Sequence, residues 1–374
     1  MSSDDHLERD YALSRKAGWF QRAEMPPRTR PPLYTRVELK ALSAFDRRRY
    51  AEARAVWHAN LGPIDTPQTQ AAFDELEEIV ESNRQDGDRV RSSAVLSAHP
   101  GLGKTTVAIS FGVRYHRDQI ELYGRCTSQG HDRIPVAYIA LTSNTTKRTL
   151  NSALCRFFEH PGWEKGTAAQ LADRATDCVL SCRTRMIIID DVHFLDMNRK
   201  DGRDVANHFK WLASHFPVTF VFVGVGVLER QLLSEGLSAA DAALAQTARR
   251  WTTLSLAPFE IDTEAGRRTW RRLLLAIERD LVLADAHHGM LADELSDYLY
   301  ARSTGHFASL MTLIARGCYR AIKTDIERLT AEILDQVRND EAAETARLAL
   351  EAAFERGLIT TRVRAGRAPR RKAA

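Results

Sequence analysis

The residues best suited to chemistry in this sequence stand together in the octapeptide AHPGLGKT, at positions 98–105. Glycines at 101 and 103 let the backbone curl so that its N–H groups point at an anion. A lysine at 104 can then reach the β- and γ-phosphates of a nucleotide, and a threonine hydroxyl at 105 can ligate magnesium. The nucleotide-binding residues predicted from this loop are His99, Pro100, Gly101, Leu102, Gly103, Lys104, Thr105 and Thr106.

The surroundings of this loop favour a phosphate-binding role. A strand-like run at 93–97 precedes it and a helix-like run at 105–115 follows it. The first glycine of the usual pattern is replaced by Ala98, which is sterically mild if its φ is negative. The alternative is a chance Gly-Lys-Thr in a turn. With a strand before and a helix after, we favour a P-loop that binds ATP with Mg²⁺.

A second candidate half of the site is the run MIIIDD at residues 186–191. It predicts a buried strand that ends in two carboxylates at the same sheet edge as the P-loop. We expect Asp190 to hold magnesium through water, together with Thr105. Asp191 is then placed to orient or deprotonate the attacking water. Aspartate is one methylene shorter than the glutamate that many such ATPases carry at this second position, so slow hydrolysis is expected. The alternative is an acid that caps the element after the strand.

Further positions could have roles around the γ-phosphate. His193 could relay the state of that phosphate, or could be a packed loop histidine. Arg249 or Arg250 could reach a neighbouring subunit as an arginine finger, or could simply face solvent. No polar sensor residue is evident at the end of the strand-like run 218–223, and Ala308 occupies the position where a second sensor arginine is often found.

The order of elements predicts an α/β fold with a parallel five-stranded sheet, followed by an all-helical lid. Strand-like runs at 94–98, 136–141, 186–190, 218–225 and 253–256 alternate with helical runs. After Pro258 the pattern is helical only. The predicted divisions are a flexible segment at 1–35, a helical lead-in at 36–85, a nucleotide-binding α/β domain at 86–258, a helical lid at 259–340, and a C-terminal helix with a basic tail at 341–374.

Composition limits the class of protein. The chain has 374 residues, 44% hydrophobic and 27% charged, as in ordinary globular proteins. No apolar run approaches a membrane span and the start lacks a signal-peptide pattern, so we expect a cytoplasmic protein. Five cysteines form no C-x-x-C pair. From Arg356 onward there are seven basic residues and no acid, which is either a phosphate-attracting arm or a solvated end.

Taken together, these segments resemble the TniB/TnsC-type AAA+ ATPases of transposons, relatives of the phage protein MuB. The likeness rests on the P-loop and on five further stretches. These are LSAFDRRRYAEARAVWHANLGPI at 42–64, IIIDDVHFL at 187–195, FKWLASHFPVTFVFVGVGVLER at 209–230, QTARRWTTLSLAPF at 246–259, and residues 303–316.

The resemblance implies an AAA+ fold and a protein that assembles on duplex DNA in an ATP-dependent way as a ring or filament. It also implies a DDE transposase as partner. Candidate phosphate contacts are Lys147, Arg148, Arg125 and Arg133, and no recognition helix or zinc module appears, so DNA binding should be sequence-independent. The alternatives are a replication initiator or helicase loader, and a signalling or defence NTPase that binds proteins.

Overall fold

The computed structural model describes residues 11–62, 64–85, 91–195, 200–225 and 251–363. These residues form two compact units, each built from segments that are far apart in the sequence. The α/β unit takes its described residues from Glu8–Pro27 and Gln70–Ala257, and the helical unit takes its own from Arg28–Thr69 and Pro258–Ala374.

The elements follow one another in the order that the sequence predicted. The strands are β1 (Ser93–Ala98), β2 (Val136–Ala140), β3 (Met186–Asp190), β4 (Thr219–Gly224) and β5 (Trp251–Leu256). The helices are α1 (Lys16–Glu24), α2 (Arg36–Ala41), α3 (Ala44–Ala59), α4 (Pro67–Ser82), α5 (Lys104–Tyr123), α6 (Lys147–Phe157), α7 (Ala168–Ser181), α8 (Lys200–His215), α9 (Glu264–Asp280), α10 (Ser296–Ser303), α11 (Phe307–Lys323), α12 (Ala331–Asp335) and α13 (Glu341–Glu355). Short 3₁₀ and π turns lie at Val192–Phe194 and Met290–Glu294.

The five described strands form one parallel sheet in the order β2-β3-β4-β1-β5. All residues of β3 and β4 are buried, because helices cover both faces of the sheet and the strands are almost entirely apolar. The predicted α/β class with a parallel five-stranded sheet is therefore confirmed. The order places β4 between β1 and β3, so the P-loop and the acid pair follow strands that are not direct neighbours.

The amino-terminal segment differs from the prediction. Residues 1–35 were expected to be flexible, but α1 lies within them and buries Trp19 completely. Trp19 packs so closely on α5 that a Cβ at Gly112 would lie 3.0 Å from its ring and 2.8 Å from Ile188 Cδ1. The sequence prediction failed because one buried aromatic anchors a short, otherwise polar helix with little apolar periodicity.

The helical unit combines the predicted lead-in with the predicted lid. Helix α3 packs against α11, and Arg54 forms a buried two-pronged ion pair with Glu327 at 2.6 Å. The division of the chain thus differs from the predicted boundary at 85, because the lead-in up to Thr69 belongs with the C-terminal helices. None of the helices in the described ranges is long and apolar enough to span a bilayer.

Candidate functional site

The P-loop connects β1 to α5 and has the backbone that its glycines allow. Gly101 has φ 76° and Gly103 has φ 82°, both in the left-handed region that side chains disfavour. Leu102 between them is buried and anchors the loop to the core. Ala98 is the last residue of β1 and pairs with Leu256 of β5. Alanine is tolerated there because the position is extended strand.

Lys104 begins α5 and is largely buried. Its Nζ donates a hydrogen bond to the backbone carbonyl of His99 at 2.7 Å. Burial lowers the pKa of Lys104, and the nearby carboxylates of Asp190 and Asp191 oppose that shift. Lys104 is therefore a largely buried cation held beside two acids. His99, Pro100, Thr105 and Thr106 are exposed around it.

Asp190 ends β3 and is the most highly coordinated side chain of the site. It is only 3% exposed. Three donors reach its carboxylate: the Thr105 hydroxyl at 3.3 Å, the Tyr138 hydroxyl at 2.8 Å, and the Asp191 backbone N–H at 2.8 Å. The structure thus brings the two predicted magnesium ligands, Thr105 and Asp190, together. A hydroxyl and a carboxylate at the mouth of a phosphate-binding loop are hard oxygen donors that fit this ion.

Asp191 has a different environment although it is the next residue. It adopts a left-handed backbone with φ 59°, which aspartate tolerates better than most side chains, and it caps the turn Val192–Phe194. Burial raises the pKa of Asp191, and Asp190 adds to the shift. A raised pKa makes a carboxylate a stronger base. His193 Nδ1 lies 3.9 Å from Asp191 Oδ1, too far for a hydrogen bond.

Sequence reasoning missed Tyr138, whose hydroxyl is bonded to Asp190. Tyr138 lies on β2, the direct neighbour of β3. Burial raises the pKa of Tyr138 above its ordinary value, so the hydroxyl keeps its proton and donates. The available signal was one polar aromatic inside the buried strand VAYIA. The Tyr138 ring stacks on Trp19, whose indole N–H donates to His116 Nδ1 at 3.2 Å. Burial lowers the pKa of His116 to about 4.

The remaining predicted positions fall in other parts of the chain or outside the described residues. Strand β4 ends in Gly224, so no polar side chain stands at its tip. Arg249 and Arg250 lie outside the described residues. Ala308 lies in the first turn of α11, in the helical unit.

Solved structures of other proteins share this fold. Aeropyrum pernix ORC2 aligns with TM-score 0.56 and 14% identity over 80% of this chain and 72% of its own. A. pernix ORC1, solved in complex with DNA, aligns with TM-score 0.54 and 17% identity over 81% and 71%. Pyrobaculum aerophilum CDC6P gives 0.51 and 14% over 73% and 67%. At such identities the likeness concerns the fold, and it confirms the predicted P-loop AAA+ ATPase fold.

The sequence family is shown by a separate comparison. No curated protein is significantly similar to the chain in sequence. The family model described as "Bacterial TniB protein" matches residues 57–259, which is more than half of the chain. That match runs from the lead-in through the P-loop, the acid pair and β5. It confirms the resemblance seen in the sequence, and the chain belongs to the bacterial TniB protein family of AAA+ ATPases.

Proposed function

We propose that this protein is an ATP-dependent DNA-binding ATPase that regulates transposition by assembling on duplex DNA and recruiting a transposase. The observation that carries the proposal is the TniB family match, which spans the whole nucleotide site. ATP would act as a switch, because a ligand that binds one state better shifts the population toward that state. Here the favoured state is the assembled one, a ring or filament on DNA.

In the nucleotide site each residue has a distinct task. The P-loop amides and Lys104 would bind the phosphates, while Thr105 and Asp190 would hold Mg²⁺, which would supply positive charge that offsets the charge on the phosphate oxygens. Tyr138 and the Asp191 N–H fix the rotamer of Asp190. Asp191 orients the attacking water and accepts its proton. Arg249 or Arg250 of a neighbouring subunit remains the proposed arginine finger.

For DNA, the structure separates the four candidate phosphate contacts into two pairs. Lys147 and Arg148 begin α6, which follows the carboxyl end of β2, the same sheet end as the P-loop. Arg125 and Arg133 precede the amino end of β2. We favour Lys147 and Arg148 as phosphate contacts, because they lie at the sheet end that carries the P-loop, where nucleotide binding can influence them.

These two side chains can exchange their present partners for phosphate. Arg148 donates to the backbone carbonyls of Gly166 and Glu164, at 3.1 and 2.6 Å. Lys147 Nζ lies 3.7 Å from an Asp204 carboxylate oxygen, and the side chains of Lys147 and Asp204 are each about 40% exposed. Exposed pairs of this kind contribute little to stability, so the free-energy cost of releasing them is small. Backbone contacts of this type position a protein without reading sequence.

A second candidate is an initiator or loader role, since the fold is shared with ORC1, ORC2 and CDC6P. The two functions differ in what they require of DNA. A transposition regulator that spreads on DNA should bind unrelated duplexes equally, whereas an origin-binding protein should discriminate between them by a factor of about 10³ or more.

The test is filter binding of several unrelated duplexes, with and without ATP, across a range of salt concentrations. The proposal expects binding that needs ATP, is indifferent to sequence, and weakens steeply with salt because phosphate contacts release counterions. Lys147→Gln with Arg148→Gln should reduce the salt slope by about two, since each phosphate contact contributes about one. Binding that is indifferent to ATP and to salt contradicts the proposal.

A further inference from the structure

A cavity of about 380 Å³ lies at the end of the sheet opposite the P-loop. It is bounded by the residues that lead into the strands: Arg91 before β1, Pro135 before β2, Arg185 before β3 and Pro217 before β4. Strand β1 has six residues, so about 20 Å separates this end from the P-loop. The nucleotide site uses none of these side chains.

The charge of this cavity is one-sided. Five arginines line it: Arg84, Arg91, Arg133, Arg183 and Arg185. None of the lining residues within the described ranges is acidic. We call this set the arginine pocket. Like charges repel one another, with the least screening at the half-buried Arg91 and Arg133, and an anion between them removes that repulsion.

Within the described ranges, partners on the protein leave most of this charge uncompensated. Arg133 donates only to backbone carbonyls, and Arg91 Nε donates to the carbonyl of Asn83 at 3.1 Å. Arg84 pairs with Glu81 at 2.9 Å, on an exposed surface. The guanidinium groups of Arg183 and Arg185 make neither a hydrogen bond nor an ion pair in the part of the chain described. Burial lowers the pKa of Arg91, and the neighbouring Arg185 adds to that effect.

The floor of the pocket is polar and hydrogen-bonded. Asn83 is buried and links three elements, because its amide donates to the Ser92 carbonyl and to the Thr219 hydroxyl, while its oxygen accepts from Ser92 N–H. Gln119 and Thr219 are also buried there. Burial raises the pKa of Tyr115 to about 12, so its hydroxyl keeps its proton. A pre-formed floor of this kind is typical of a small-molecule site.

We propose that the arginine pocket binds a small molecule that carries two or more linked phosphate groups. Guanidinium forks pair with phosphate oxygens in two-point contacts, and five of them need several negative charges on one ligand. The volume lies within the range of about 300 to 1,000 Å³ found for small-molecule sites. Duplex DNA is disfavoured as the occupant, because its convex backbone cannot reach the buried floor at Asn83 and Gln119.

The experiment is calorimetric titration of the full chain with inorganic tripolyphosphate, without magnesium. The chain carries Lys104→Ala, which weakens phosphate binding at the P-loop. We expect saturable binding at one site. Adding Arg91→Gln and Arg185→Gln should weaken it by about tenfold or more, because two charge-assisted contacts are lost. The matched control is Arg156→Gln, an exposed arginine on α6, which should change nothing.

A second pair, Arg183→Gln with Arg185→Gln, keeps the test valid if the Arg91 variant fails to fold, since both of these side chains are exposed. This pair should weaken tripolyphosphate binding to a similar extent. The proposal is overturned if the Lys104→Ala chain does not bind tripolyphosphate, or if it binds equally with and without the pocket arginines. It is also overturned if the arginine variants lose affinity for duplex DNA while tripolyphosphate binding stays intact.

Discussion

The two ends of the parallel sheet present opposite arrangements of charge. At the carboxyl ends of the strands, Lys104 lies beside Asp190 and Asp191, so one cation is set against two acids. At the amino ends, the arginine pocket has five cations and no described acidic lining residue. The comparison shows that the two ends of one sheet carry different charge. On the proposals above, the first end binds phosphate with metal and the second binds phosphate alone.

The largest expected effect separates these two ends. Lys104→Ala should weaken ATP binding by about 100-fold or more, because backbone amides alone leave the β/γ charge poorly neutralised. Calorimetry or a fluorescent ATP analogue measures it, at magnesium concentrations that saturate the wild type. Lys165→Ala, an exposed lysine of the same unit, is the control. Undiminished ATP affinity in the Lys104 variant would mean that nucleotide binds elsewhere.

The next effect distinguishes the two neighbouring acids. Asp191→Asn should slow ATP turnover by about 10² while ATP affinity stays within about twofold, because a general base is lost but no phosphate contact is. Asparagine accepts the left-handed backbone at φ 59°, so the change isolates the charge. Steady-state phosphate release measures turnover, with Asp173→Asn as an exposed control. Equal turnover would remove Asp191 from the chemistry.

A third effect concerns His116, which bonds to Trp19 behind Tyr138. The pKa of His116 is lowered to about 4 from 6.5 in the folded chain. As pH falls, the His116 ring therefore takes up a proton at higher pH in the unfolded chain than in the folded one. Its contribution to stability is therefore complete above pH 6.5 and is lost progressively toward pH 4. At pH 5.5 the loss is about 1 kcal/mol.

Thermal unfolding between pH 7.5 and 5 measures this dependence. His116→Gln should flatten the slope, whatever its effect on the absolute melting temperature, whereas the exposed His131→Gln should not. A slope that is unchanged in the His116 variant would show that this histidine does not titrate in the range.

The smallest expected effect is that of Tyr138→Phe. The hydroxyl fixes one oxygen of Asp190 and leaves the other toward Thr105. Its loss should raise the magnesium concentration needed for half-maximal turnover about threefold to tenfold, as for one lost hydrogen bond of about 1 kcal/mol. Tyr319→Phe, on an exposed side chain, is the control. An unchanged magnesium requirement would reduce Tyr138 to a packing role.

The proposed carboxyl-end site can be located from sequence because its parts are local. The P-loop is one octapeptide, and the acid pair ends one strand, so chain-local rules place both at the same sheet edge. The caps were equally local: Thr66 accepts from Thr69 N–H at the start of α4, as Thr66-Pro67 indicates.

The features that sequence reasoning missed depend on residues far apart in the chain. Tyr138 meets Asp190 across 52 positions, through the register of β2 with β3. The arginine pocket draws on segments from residue 84 to residue 185, none of which is a motif. The lead-in joins the C-terminal helices through Arg54 and Glu327, 273 positions apart. Such pairings arise from tertiary packing, and one sequence contains no periodic signal for them.

The most direct test of the carboxyl-end site is a crystal structure with a nonhydrolysable ATP analogue and magnesium. We predict that Lys104 Nζ leaves the His99 carbonyl for a β- or γ-phosphate oxygen, with the metal beside Thr105 and Asp190. An analogue bound elsewhere, with the 2.7 Å bond from Lys104 to His99 intact, would contradict the account.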